Sequence, residues 1–176
     1  DDANQLVPDI PMYVQYEWSK NNRVRLSGII RNFAYRDLVD ARTRHITGWG
    51  AQLSGNFSFY KPLVFNFQAV YGKGIGSYIQ DLSGREISFT PCNGRLGEME
   101  SNPMMGLTFG ASYDVTKKLQ FNIVGSYARI WSVGDYAVLG DMGDTAGSNN
   151  YRYAVYATAN AFYKFTGYLK WGIEYN

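Results

Sequence analysis

The chain has 176 residues and a net charge of +2, from 17 Lys and Arg against 15 Asp and Glu. So small an excess gives no basic face for a nucleic-acid partner, and there is no run of about 18 apolar residues to cross a membrane as a helix. Aromatics are abundant, with 15 Tyr, 10 Phe and 4 Trp, while Pro is scarce at 5, a mix that favours long strands over disorder.

Residues alternate in character along most of the chain, with the period of two that marks a strand with unlike faces. "MYVQYEWS" (Met12 to Ser19) predicts a first strand and "RVRLSGIIRNFAYR" (Arg23 to Arg36) a second. In "ITGWGAQLSGNFSFY" (Ile46 to Tyr60) the odd positions from Trp49 are apolar and the even ones are Gly, Gln, Ser and Asn. "LVFNFQAVYGKGIGSYIQ" (Leu63 to Gln80) predicts a fourth strand and "MMGLTFGASYDV" (Met104 to Val115) a fifth. "LQFNIVGSYARIW" (Leu119 to Trp131), "YRYAVYATANAFYKF" (Tyr151 to Phe165) and "YLKWGIEYN" (Tyr168 to Asn176) complete eight. No helical period is visible.

The connections alternate in length. Residues 20–22, 61–62, 116–118 and 166–167 are tight, whereas 37–45, 81–103 and 132–150 are long and rich in turn residues. All tight turns therefore lie at one end. Long antiparallel strands sorted in this way describe an up-and-down transmembrane β-barrel. The strands have the roughly 9–11 residues that a tilted crossing requires. Large aromatics (Trp18, Phe57, Phe59, Phe65, Tyr113, Tyr163, Trp171) sit near strand ends on the apolar face, as an interfacial girdle would. The apolar face, with Trp49, Leu53, Phe57, Phe65, Phe67, Leu107, Phe109, Phe121, Ile123, Val155, Trp171 and Ile173, is expected to meet lipid.

The polar face then lines a lumen. Its uncharged candidates are Gln52, Asn56, Asn66, Gln68, Ser112, Asn122 and Asn160. Its charged candidates are Glu17, Arg23, Arg25, Arg31, Asp114, Arg152, Lys164, Lys170 and Glu174, a net positive set that lowers the barrier for anions. Around the first turn Glu17 is expected to face Arg25, and Arg31, with no facing acid in view, is the leading candidate to touch solute. "GKGIG" (Gly72 to Gly76) lacks the spacing and following helix of a phosphate loop; a bend or an inward-folded loop is the expectation. The single His45, placed in a loop, has no catalytic companions, and one His and one Cys (Cys92) make no metal site. No enzyme activity and no cofactor are expected.

"DIPMYVQYEW", "RLSGIIRNFAYRDL", "GWGAQLSG" and above all "FQAVYGKGIGSYIQDLSG" resemble the DcaP-like outer-membrane porins, in the form found in Bacteroidota-type bacteria. The resemblance runs from about Val7 to the end. It implies an outer-membrane diffusion channel for small anionic solutes, a homotrimer, and a barrel of more than eight strands. Residues 1–176 are accordingly expected to be one barrel portion of a longer protein, truncated at both ends. The alternative is a small eight-stranded barrel, closed on itself and plugged by its own side chains, with a structural or adhesive role.

Overall fold

In a computed structural model of the chain, residues 8–37, 41–89, 98–131 and 152–176 are described. The strands, in order, are β1 (Ile10–Ser19), β2 (Asn22–Arg36), β3 (Thr43–Tyr60), β4 (Leu63–Lys73), β5 (Ile87–Phe89), β6 (Met99–Ser101), β7 (Pro103–Asp114), β8 (Leu119–Ile130), β9 (Tyr153–Lys164) and β10 (Lys170–Tyr175). Eight of them form one antiparallel sheet in the order β1-β2-β3-β4-β7-β8-β9-β10, and β5 and β6 pair separately. The sheet is all up-and-down, as the alternation predicts. β1 and β10 are not paired with each other, so the eight strands leave an open sheet and not a small closed barrel.

The tight turns have local causes. Thr116 Oγ1 accepts the backbone N–H groups of Lys118 and Leu119 at 3.2 and 3.0 Å, and Thr166 Oγ1 does the same for Tyr168 and Leu169 at 3.3 and 3.1 Å. Such side-chain turns reverse the chain without a longer loop. Pro62 turns β3 into β4, and its carbonyl accepts the Asp114 N–H at 2.7 Å.

Register fixes the faces. Gln52 pairs with Val70, Val70 with Gly106 and Gly106 with Ala128; Asn56 pairs with Asn66, and Asn122 lies between Ser112 and Asn160. The residues expected to meet lipid all fall on the opposite face from these, so the two sets separate without a slip. That lipid-side face carries a continuous exposed apolar surface: Val14, Leu26, Ile30, Trp49, Leu53, Leu107, Phe109, Ile123, Val155 and Ile173 are all exposed. A contiguous exposed apolar surface of this kind is rare on a soluble monomer and marks a face that meets lipid or another protein. Its rings gather at both ends. Trp18, Phe57 and Phe59 meet near the tight turns, with Phe57 also stacked on Phe67 nearer mid-wall, and Trp49, Tyr71 and Trp131 meet near the long loops.

The fourth strand is shorter than the alternation predicts. β4 stops at Lys73, and Gly74, with φ of 69°, takes a left-handed conformation that other residues avoid. The chain then turns onto the polar face in two 3-10 turns, Gly76–Tyr78 and Gln80–Leu82. Ile75, Leu82 and Met104 are fully buried there, with Val70, Ile79, Ala128 and Ile130 around them. Gly50 and Gly72 supply the seat: a Cβ on either would lie within 3.0 Å of Ile75. "GKGIG" is thus the root of an inward-folded segment, and the 81–103 connection holds the β5–β6 hairpin where the sequence suggested only loop. We call the face that this segment covers the inner face.

Candidate channel lining

The inner face is divided by the inward segment. Toward the tight turns it is an open polar wall. Arg23 donates from Nε to Asn56 Oδ1 at 2.7 Å, and Asn56 donates on to the Asn21 carbonyl at 2.7 Å. Arg25 donates from Nε to Gln15 Oε1 at 2.7 Å and lies 4.5 Å above the Tyr13 ring; Gln15 in turn donates to Glu17. On the other side of the wall Asn122 donates to Asn160 at 2.7 Å and Asn160 to Glu174 at 3.3 Å. Lys170 reaches Gln120 Oε1 at 3.4 Å across the Phe162 ring, 3.9 Å below its ammonium. Tyr156 and Thr158 both donate to Asn176 Oδ1 at 2.7 Å. Gln52 and Gln68 complete the same face. These amides and hydroxyls hold one another and present their remaining groups to water.

Toward the long loops Arg31 and Arg44 are tied down. Arg31 is buried; its Nε lies 3.1 Å from Asp9, and its Nη1 donates to the Gly74 carbonyl at 2.9 Å. Its guanidinium also lies 4.7 Å from the Phe33 ring and 5.2 Å from the Tyr78 ring. The Tyr78 hydroxyl donates to the same Asp9 carboxylate. Burial, and then the Asp9 hydrogen bond, push the Tyr78 phenol above its ordinary value, so the hydroxyl keeps the proton that it donates. One knot therefore joins the approach to β1, the middle of β2 and the inward segment. Nearer the rim, Arg44 Nε pairs with Asp37 at 2.8 Å, with Asp37 buried.

Two expectations are corrected here. Glu17 faces Arg23, and Arg25 faces Gln15. Arg31 has a facing acid, Asp9, which the same register places opposite it one pair beyond Ile10–Ile30. The cause is the first hairpin. Its turn is the two residues Lys20 and Asn21, and a bulge at Trp18 adds an extra residue to β1. Reading the turn as three residues with no bulge slides the pairing by two. With its guanidinium bound to Asp9 and Gly74, Arg31 braces β2 against the approach to β1 and the inward segment. Asp9, Phe33 and Tyr78 are the members of the knot that the sequence did not bring forward. Asp9 could have been found by extending the correct register, whereas Tyr78 is brought in only by the folded segment. His45 lies in β3 and not in a loop, on the outer face, where its Nδ1 is 3.2 Å from Asn32 Oδ1. Cys92 falls outside the described residues. An apolar groove of about 500 Å³ lies over Ala111, Ala159 and Ala161 between Tyr113 and Ile173; these odd-numbered residues belong to the outer face, away from the polar wall.

No protein-family model matches this sequence, and no curated protein does. Among solved structures the chain is similar to the outer membrane channel DcaP of Acinetobacter baumannii, with a TM-score of 0.79 at 17% identity over 98% of this chain. That alignment spans 45% of the DcaP chain, so this chain corresponds to less than half of it. A porin named NanC aligns over 94% of this chain and 78% of its own at 12% identity, with a TM-score of 0.45. The DcaP likeness establishes the fold, an antiparallel up-and-down sheet of eight strands.

Proposed function

We propose that this chain is part of the wall of an outer-membrane porin, a passive channel for small hydrophilic solutes with a preference for anions. The observation that carries the reading is the contrast between the two faces of one sheet. One face is an exposed apolar surface bounded by rings, and the other is polar, hydrogen-bonded and partly covered by a segment folded across it. Trp49 and Phe59 are ten residues apart on β3, roughly 25 Å along the normal of a sheet tilted by about 40°. That is the height of an outer-membrane apolar band. Arg23, Arg25 and Lys170 on the open wall support the anion preference. Assembly as a homotrimer follows the resemblance to DcaP-like porins.

The reading needs no catalytic group, and among the described residues no cluster of three or more metal-ligating side chains occurs. The test is osmotic swelling of liposomes that hold the full-length protein. Swelling in small neutral and anionic solutes, with anions entering faster at equal size, is the expected outcome. Liposomes that swell no faster than protein-free ones would defeat the reading.

A further inference from the structure

We propose that the anion preference of this channel is set at its tight-turn mouth, by a row of three lysines, and not by the buried Arg31 toward the long loops. The proposal rests on the reading of the chain as a channel wall, and it assigns the specificity-determining residues within it.

Lys170 lies directly opposite Lys164 across the β9–β10 pair. The Lys164 N–H donates to the Lys118 carbonyl at 2.8 Å, so three lysines stand abreast on β10, β9 and the turn into β8. All three are exposed. Lys170 has Gln120 and the Phe162 ring for company, and among the described residues no carboxylate lies within ion-pair distance of any of the three. Like charges directly opposed across a strand pair repel. An anion held between them turns that repulsion into attraction.

The rest of the wall sharpens the contrast along the axis. At the long-loop end Arg31 is spent on Asp9 and Arg44 on Asp37, and Arg152 is engaged as well, which leaves Arg42 exposed at the rim. At the tight-turn end Arg23 and Arg25 hydrogen-bond only through Nε, each to a neutral amide oxygen, with Arg25 also over the Tyr13 ring. Lys20, Lys61 and Lys117 add charge in the turns, and no turn between β1 and β2, β3 and β4, β7 and β8, or β9 and β10 holds an acid. Against these basic groups the same half of the face carries Glu17, Asp114 and Glu174. Unpaired positive charge is thus concentrated at one mouth. A mouth with low-dielectric walls focuses such a field and raises the local concentration of counter-ions.

The experiment is current recording from the full-length protein in planar bilayers at low salt. Lys164→Gln with Lys170→Gln is expected to lower the chloride-to-potassium permeability ratio by about threefold, an effect that vanishes near 1 M salt, where the Debye length is about 3 Å. The double change Asp9→Asn with Arg31→Gln is expected to leave that ratio in place. In the wild-type channel, inorganic phosphate is expected to block current at a several-fold lower concentration from the tight-turn side than from the loop side. Equal block from both sides would overturn the inference, as would a permeability ratio that responds to the Asp9 and Arg31 change and ignores the lysines; in both cases the porin reading stands. A protein that carries no current overturns that reading, and this inference with it.

Discussion

At the scale of residues, the Arg31 knot is the most consequential arrangement. A buried ion pair is a weak source of net stability, but breaking one leaves an uncompensated charge behind, which costs roughly 3 kcal/mol or more. Arg31→Gln and Asp9→Asn are each expected to destabilise the fold by about that amount, discounted for the partial exposure of Asp9, while the double change costs less than the sum. Urea unfolding in detergent, followed by tryptophan fluorescence, checks this; additive losses would show that the two residues act separately. Tyr78 adds a pH dependence. Its pKa is raised in the fold, so its contribution is complete below the ordinary tyrosine value and is lost as pH rises through the raised one. The inward segment is therefore expected to loosen only in the alkaline range, above about pH 10. A difference absorbance titration of wild type against Tyr78→Phe should reveal one late-titrating phenol; its absence would remove Tyr78 from the knot.

At the scale of elements, β4 shows how a strand is ended on purpose. Its alternation continues past Lys73, but at Gly72 a Cβ would lie 2.2 Å from the Trp49 carbonyl oxygen. Gly72→Val is thus expected to part β3 from β4 or unseat Ile75, at a cost of at least about 2 kcal/mol, read from the same unfolding curves. The faces of the strands invite a sharper check. Val155→Cys should react only with a membrane-soluble thiol reagent, and Asn160→Cys only with a charged aqueous one, because they lie five residues apart on opposite faces of β9. Reversed labelling would invert the assignment of lipid and lumen. The alternation of β3, β7, β8 and β9 was legible because each side chain's face depends only on its neighbours in sequence. The end of β4 was not, because nothing local to "YGKGIG" distinguishes a strand that continues from one that folds inward.

At the scale of the whole molecule, the open edges matter. β1 and β10 each present a row of backbone groups with no partner strand among the described residues. Within a bilayer such groups have no water to bond, so a wall of this kind functions only when both edges are paired. On the proposed porin reading, the rings at the two ends mark the levels of the two membrane interfaces. Trp49 and Trp18 belong to different clusters, one toward the long loops and one toward the tight turns. Single-tryptophan variants that retain only Trp49 or only Trp18 are expected to be quenched most strongly by lipids brominated near the headgroup and weakly by those brominated at the chain end. Strongest quenching at the chain end for either residue would contradict the girdle.

The sequence by itself determined the class of fold, the number of long strands, the sorting of tight turns from long loops and which side chains share a face. Each of these follows from a period of two or from turn chemistry, both local properties. It did not determine which charges meet. Whether Arg31 faces open water or Asp9 depends on a bulge at Trp18 and a two-residue turn, and those shift a whole strand by its neighbour without changing the alternation of either. Nor did it reveal that Tyr78 comes to rest on the same carboxylate, since that contact spans sixty-nine residues and exists only once Ile75 and Leu82 are buried against β3, β4 and β7. Periodicity specifies the face of a residue; only long-range packing specifies its partner, and in this sheet the partners decide which positive charges remain unpaired.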